Sequence, residues 1–209
     1  MARAKRSKKK VSSVCQLLVV LPRTDPLVWR RIQVPESYSF WDLHVAVQDA
    51  MGWLDYHLHE FEFVDKDGDM HRIGLPDEDM FDERVSEPGW EVPMARFLTY
   101  GSAPVRYRYD FGDDWEHTIE FEDVLTADEG IYPRCVAGAG ACPPEDVGGT
   151  DGYAEFLRII GDRRHPERRE RLDWVGGAFD AFAFDPSAVT FDDPKARLTR
   201  ALADRDGGP

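Results

Sequence analysis

The chain has 209 residues, 42% hydrophobic and 12% aromatic, a composition too rich in core-forming residues for a disordered protein and sufficient for one domain. Residues 1–10 contain six basic and no acidic side chains, which leaves 20 basic against 40 acidic side chains and a net charge of −20 in residues 11–209. Such an acidic body repels phosphate backbones, so the composition argues against general nucleic-acid binding by the folded part.

The N-terminal leader, residues 1–12, is predicted to be flexible because it is short and basic. A solvated tail is the favoured interpretation, and contact with nucleic acid through this leader is the alternative. No stretch approaches the roughly twenty apolar residues of a membrane span, and no cleavage site follows the apolar run 14–21. The cysteine count is three, an odd number that argues against a disulfide scaffold. These features predict a cytoplasmic protein with no membrane partner.

The first predicted elements are two strands and a helix. Residues 14–21 are a short apolar run, residues 28–34 alternate with period two, and prolines 22 and 26 mark the turn between them. Ser39, with Asp42 three positions later, is typical of a capping box. Apolar residues at helical spacing then predict a helix that ends at Gly52.

Two antiparallel pairs are predicted next. His59, Phe61 and Phe63 share one side of a strand, and Asp67-Gly68 favours a hairpin turn toward residues 70–73. Residues 74–94 are acidic and contain prolines, which indicates an irregular surface excursion. Residues 107–111 and 115–121 then read as the two strands of a second hairpin, with Gly112 to Asp114 as its turn.

The C-terminal part is predicted to be helical. Asp151 is expected to cap a helix with an apolar stripe that includes Tyr153 and Phe156, and Pro166 fits the first turn of another helix. Residues 193–209 indicate a polar helix or frayed tail outside a domain of residues 13–192. The pattern as a whole predicts a single α+β domain with a mostly antiparallel sheet packed with several helices.

Several segments resemble, in this order, the plasmid pRiA4b ORF-3-like family, also described as passenger proteins of IS1096-type insertion elements and sometimes labelled as resolvases. The most specific segment is residues 109–117, which read Tyr-Asp-Phe-Gly-Asp-Asp-Trp-Glu-His. The other matching segments are residues 28–32, 43–44, 50–53, 57–61, 132–135, 141–149, 152–153 and 174–180.

The resemblance implies an α+β domain of the MM3350-like type and no established reaction, ligand or catalytic residue. Val147 departs from the pattern, since relatives are expected to carry cysteine there. A recombinase needs a nucleophilic serine among arginines and a basic helix-turn-helix. Ser12 and Ser13 instead precede a plain strand, and the body is acidic. On these grounds we reject serine recombinase activity.

Cysteine and histidine side chains suggest a zinc site. Cys135 and Cys142, in a loop rich in Gly, Ala and Pro, could bind zinc with His117 and either His57 or His59. The spacing is not that of a two-residue cysteine pair, so ordinary loop packing is the favoured alternative.

The aspartates of the second hairpin suggest a different site. Asp110, Asp113 and Asp114 could hold a divalent cation, with His117 or His57 as a base, in a metal-dependent hydrolase or nuclease that uses these aspartates and the histidines 57, 59 and 117. The favoured alternative is a turn in which the aspartates bond to their own backbone.

The arginines near the tryptophans are expected to pair with neighbouring acids on the sheet surface. These arginines are Arg30, Arg31, Arg106 and Arg108.

The favoured functional hypothesis is a non-catalytic cytosolic accessory or interaction domain associated with plasmids and insertion elements. Its partner is expected to be a protein. The contact surface is expected around residues 110–117 and 135–149, where Glu145 and Asp146 could face the partner or merely form a structural corner.

Overall fold

The structure is a computed structural model that describes residues 11–76 and 87–206, with side chains as far as residue 203. In these residues, eight strands form one sheet in the order β5-β4-β3-β6-β7-β1-β2-β8. The strands are β1 (Ser13–Leu21), β2 (Val28–Pro35), β3 (His59–Val64), β4 (Met70–Gly74), β5 (Glu87–Pro88), β6 (Val105–Tyr109), β7 (Trp115–Thr126) and β8 (Arg134–Ala139). Neighbouring strands are antiparallel except β4 and β5.

The helices of the described residues are α1 (Phe40–Met51), α2 (Gly149–Gly161), α3 (Arg168–Trp174) and α4 (Pro194–Asp206). Single 3-10 turns lie at Met94–Arg96 and Pro186–Ala188. None of these helices is long and apolar enough to cross a bilayer. The predicted α+β architecture with a mostly antiparallel sheet is confirmed. The predicted basic leader, except residues 11 and 12, and much of the predicted excursion at residues 74–94 lie outside the described residues.

The first helix forms as predicted. Asp42 N donates to Ser39 Oγ at 3.2 Å, and Ser39 N donates to Asp42 Oδ2 at 2.9 Å, which completes the capping box. Gly52 ends the helix in the left-handed conformation, with φ of 104°. The apolar face of α1 joins the inner side chains of the strands in one core, in which Leu17, Phe40 and Phe61 are fully buried.

Arg30 contradicts the prediction that it pairs with an acid on the sheet surface. The alternation of β2 points its side chain inward, where only 1% of the residue is exposed. Its Nε donates to Ala50 O at 2.8 Å, and its Nη1 donates to Trp29 O and Ala139 O. The guanidinium also lies 3.6 Å from the ring centroid of Phe184. Arg30 therefore supplies the positive charge that the last turn of α1 lacks.

The other three arginines do pair on the outer face of the sheet, as predicted. Arg31 Nε lies 2.7 Å from Glu122 Oε2. Arg106 bridges Glu62 on β3 and Glu116 on β7, and Arg108 bridges Glu60 and Asp114. Arg106 and Arg108 pair with acids on the neighbouring strands and turn, whereas Arg31 on β2 reaches across β1 to Glu122 on β7.

Two predicted helix starts are displaced. Gly148, with φ of 95°, is the N-cap of α2, so Asp151 lies in the first turn instead of at the cap. Pro166 precedes α3, which begins only at Arg168. The predicted polar C-terminal helix does form, and it is docked on α1. Trp41 Nε1 donates to Pro194 O at 2.9 Å, so the start of α4 is fixed to the domain.

Candidate metal centre

The turn between β6 and β7, residues 110–114, meets two other loops, residues 53–58 and 143–149. Gly148 N donates to Asp113 Oδ2 at 2.9 Å, which ties two of these loops together. Gly149 packs so tightly that a Cβ added there would lie 2.3 Å from Asp113 O. Parts of the two regions singled out from the sequence, residues 110–114 and 143–149, are therefore adjacent, whereas His117 is buried and residues 134–139 form β8.

These loops turn sharply at aspartates. Within the described part of the chain, the non-glycine residues with positive φ are Asp55, Asp110, Asp114 and Asp146, at 54–60°. Aspartate tolerates this conformation better than most residues because its short side chain can hydrogen-bond locally. Asp110 shows this directly, since its Oδ1 accepts a 2.9 Å hydrogen bond from Gly112 N. The backbone thus fixes where these carboxylates point.

His57 brings an imidazole to two of these carboxylates. Its Nε2 lies 3.2 Å from Asp146 Oδ1 and 3.6 Å from Asp110 Oδ2. These are ion-pair distances without hydrogen-bond alignment, and the Nε2 atom is buried with no hydrogen-bond partner. One ligand atom from each of the three side chains falls within 4.8 Å of the others. We call this group the His57 triad.

The chemistry of the His57 triad suits a divalent transition metal. Imidazole nitrogen favours zinc and its neighbours over magnesium or calcium, and zinc also accepts carboxylate oxygen. Three protein ligands leave a fourth tetrahedral position for water or a ligand. The side chain of Asp146 is 68% exposed, so this position could be reached from solvent.

Glu145 precedes Asp146 in the loop 143–149 and supports the triad. Its Oε1 accepts a 2.8 Å hydrogen bond from Leu54 N and lies 3.1 Å from Tyr109 OH. Tyr109 OH in turn accepts a 3.0 Å hydrogen bond from Tyr56 N. Burial raises the pKa of Glu145 above its usual range, and the backbone hydrogen bond from Leu54 opposes that rise. Glu145 therefore joins the His57 loop to the Asp146 loop.

Of the aspartates predicted from the sequence, only Asp110 belongs to the triad. Asp113 bonds to the Gly148 amide, and Asp114 lies 2.7 Å from Arg108 Nη2. Both therefore stabilise the surface without facing the triad. The turn role predicted for all three aspartates, a bond to their own local backbone, is therefore seen only at Asp110, whose Oδ1 accepts from Gly112 N.

The predicted histidines divide between the site and the core. His57 joins the triad, whereas His59 and His117 are buried on the inner face of the sheet. The His59 ring stacks on His44, with a centroid separation of 3.4 Å, and its pKa is well below the usual value because burial disfavours the cation. Burial also lowers the pKa of His117 to about 4.

The proposed zinc site with Cys135, Cys142, His117 and His59 does not assemble. Cys135 lies in β8 instead of a loop, three strands from His117 and five from His59, or about 14 and 24 Å at the usual strand spacing. Among the described residues, the His57 triad is the one group of three such ligand atoms within 4.8 Å. Burial also raises the pKa of both cysteine thiols, which disfavours the thiolate that binds metal.

Asp146 is the residue that sequence reasoning did not identify as a ligand. The prolines before it and the two glycines after it indicate a tight turn, which is a signal for a fixed carboxylate. The sequence offers no signal that this turn lies beside His57, because that contact depends on the path of the loop after β8.

Comparisons with known proteins agree with the resemblance found in the sequence. Residues 13–188 match the family described as plasmid pRiA4b ORF-3-like protein. An uncharacterized protein, y4hQ of Sinorhizobium fredii, is 36% identical over 194 residues, 93% of each chain.

A solved structure shares the fold. The crystal structure of MM3350, a protein of unknown function from Methanosarcina mazei, superposes with a TM-score of 0.79 at 40% identity. The match covers 87% of the present chain and all of MM3350. The MM3350-like fold implied by the sequence is thereby confirmed.

Proposed function

The chain belongs to the plasmid pRiA4b ORF-3-like family, and from this premise we propose that it is a non-catalytic accessory domain whose partner-binding surface is organised by a divalent transition-metal ion, zinc by preference. The observation that carries the proposal is the convergence of His57 Nε2 with carboxylate oxygens of Asp110 and Asp146. A bound cation would compensate the two carboxylates and hold the three loops in one arrangement.

A protein partner is favoured by the side chains around the triad. Leu54 and Tyr56, on the same loop as His57, are 61% and 70% exposed. Exposed apolar and tyrosine side chains rimmed by charge are typical of protein interfaces. The net charge of −20 in residues 11–209 favours a partner with a basic contact surface.

The metal can be tested with substitutions that preserve the backbone. Asparagine retains the size of aspartate and tolerates the left-handed conformation of positions 110 and 146, so Asp110→Asn and Asp146→Asn remove charge with little strain. We expect each to weaken zinc binding by about tenfold or more, as measured by competition with a chromophoric chelator. Glu120→Gln, an exposed carboxylate on β7, is the control. Unchanged zinc affinity in both variants, or no stoichiometric binding by the wild type, would refute the proposal.

The partner surface needs a separate test. A Leu54→Ser, Tyr56→Ser double variant should retain zinc and lose a partner captured by the zinc-loaded wild type from a host extract. Addition of a chelator should release the same partner. A partner that binds the double variant and the chelated protein equally well would exclude this surface.

A metal-dependent hydrolase is the second candidate, and Glu145 is the observation that favours it. Its carboxylate is next to Asp146 in the chain, and burial raises its pKa, which makes the ionised form a stronger base beside a site with an open fourth position. Zinc-dependent hydrolysis of bis(p-nitrophenyl) phosphate that is lost in Glu145→Gln, with zinc affinity retained, would support catalysis. Absence of zinc-dependent turnover with this diester would favour the accessory role.

A further inference from the structure

A cavity of about 580 Å³ lies away from the His57 triad, between the end of β3 and the loop that follows Met94–Arg96. β3 separates the two sites, since its first residues adjoin the triad loop and its last residues line the cavity. The six residues of β3, at about 3.3 Å each, therefore place the cavity about 20 Å from the triad. The volume is in the range of small-molecule sites, about 300–1,000 Å³.

The walls of this cavity are aromatic and held in place. Phe63 and Phe97 pack edge to face, with centroids 4.9 Å apart. Tyr100, which is 69% exposed, packs edge to face on Phe121 at 5.1 Å, and its hydroxyl donates to Asp123. A planar ring could therefore contact rings that are already positioned, which limits the entropy lost on binding.

Arg96 provides an uncommitted cation in the lining. Its guanidinium carbon lies 4.8 Å from the Phe97 ring centroid, and the side chain is exposed. Within residues 11–76 and 87–206, no carboxylate forms an ion pair with it, in contrast to Arg106 and Arg108 on the nearby sheet face. A guanidinium stacked on a ring is preorganised to bind a planar carboxylate through two hydrogen bonds.

The lining also includes a buried polar atom without a partner. Ser102 Oγ is inaccessible to water and has no hydrogen-bond partner among the described residues. Buried hydroxyls are normally hydrogen-bonded, so an unpartnered hydroxyl at a cavity indicates a missing acceptor or donor.

The nearby Asp65 bonds to other groups, so Arg96 is available to bind a ligand. Asp65 already accepts hydrogen bonds from the amides of Asp67 and Asp69, and its Oδ2 lies 3.0 Å from His71 Nε2. Asp67 is also in the lining, next to Lys66. The lining thus has two cations, Arg96 and Lys66, against one acid not bonded to a histidine, Asp67, and this excess of one positive charge suits a monoanion better than a polyanion such as a nucleotide.

We propose that this cavity binds a small aromatic monocarboxylate, with its ring against Phe97 and Tyr100 and its carboxylate on Arg96. Ser102 Oγ, which is inaccessible as the side chain stands, donates a further hydrogen bond after rotation about its Cα–Cβ bond. The site is independent of the proposed metal centre, because none of its residues belongs to the His57 triad.

Indole-3-acetate is the probe, and indole, which has the ring but no carboxylate, is its matched comparison. Amide shifts in two-dimensional NMR should move saturably at Phe63, Phe97 and Ser102. We expect indole-3-acetate to bind at least about tenfold more tightly than indole, the factor that a 1.4 kcal/mol interaction provides. Protein treated with a chelator should behave identically, which separates this proposal from the metal centre.

Substitutions decide whether Arg96 recognises the carboxylate. Arg96→Gln, at an exposed position that should leave the fold intact, is expected to abolish the preference for indole-3-acetate and leave indole binding unchanged. Ser102→Ala should weaken the binding of indole-3-acetate by a few fold. Arg163→Gln, which removes an exposed arginine elsewhere, is the control. No saturable shifts at the cavity, equal affinity for the two probes, or an unchanged preference in Arg96→Gln would overturn the proposal.

Discussion

Arg30 Nε donates a 2.8 Å hydrogen bond to Ala50 O, so a buried arginine on β2 binds the last turn of α1. No acid neutralises this arginine among the described residues, and burial lowers its pKa even though the nearby cysteines oppose the change. Backbone carbonyl groups and the Phe184 ring stabilise its charge instead. The contact joins β2, β8 and α1, and through Phe184 it holds the segment before the last 3-10 turn.

Replacement of Arg30 by methionine should destabilise the protein severely. The change leaves three carbonyl groups without their donor in a buried place, and each buried unsatisfied group costs about 1–3 kcal/mol. We expect the free energy of unfolding in urea to fall by about 3 kcal/mol or more. Arg31→Met, which breaks a partly exposed ion pair on the outer face, should cost about 1 kcal/mol or less. Equal losses in the two variants would contradict the role assigned to Arg30.

Gly149→Ala should damage the candidate metal centre. The new Cβ would meet Asp113 O at 2.3 Å in a residue with φ of 67°, so the two loops must separate. We expect a loss of about 1–3 kcal/mol in stability together with weaker zinc binding. Gly161→Ala is the matched control, because a Cβ there has nothing within 4 Å. If both variants bind zinc with equal affinity, the contact between Gly149 and Asp113 does not contribute to zinc binding.

The burial of His117 leads us to expect that the protein loses stability in acid. Burial holds its folded-state pKa at about 4, below the usual 6.5, so only the unfolded chain gains this proton between those values. Stability should therefore fall as pH falls from 6.5 to about 4, by at most about 1.4 kcal/mol per pH unit for this group. His59 should add to the slope in the same direction.

His117→Gln should reduce that acid-dependent slope, as seen in urea unfolding midpoints at pH 7, 6 and 5. His165→Gln, at a partly exposed position before α3, should leave the slope unchanged. An identical slope in His117→Gln and wild type would show that His117 is not kept neutral by the fold.

The acidic partners of His71 lead us to expect the opposite dependence of stability on pH. Its hydrogen bond with Glu87 and its contact with Asp65 raise its pKa despite some desolvation. The stabilisation is fully present below about pH 6.5, the unfolded value, and is lost as pH rises through the raised folded value. Glu87→Gln should remove most of this dependence in melting temperatures measured from pH 6 to 9. Glu91→Gln, an exposed acid nearby, is the control, and the same curve in both variants would refute the assignment.

The elements that the sequence predicted correctly depend on local signals. The capping box of Ser39 and Asp42 and the turns at Gly52 and Asp67-Gly68 involve residues within a few positions of one another. Alternation likewise predicted the inward side of β3 and β7, where His59 and His117 are buried. The predicted α2 cap at Asp151 was wrong because the backbone path of the preceding loop places Gly148, with φ of 95°, at the N-cap, three residues earlier.

By itself, the sequence determined the family, the α+β class and most strand and helix positions. The tertiary structure decided which side chains meet. His57, Asp110 and Asp146 come from three loops, and Cys135 is kept from the histidines by the order β3-β6-β7-β1-β2-β8. Periodicity is a property of neighbouring residues, whereas these contacts depend on long-range strand pairing, so spacing along the chain could not predict them.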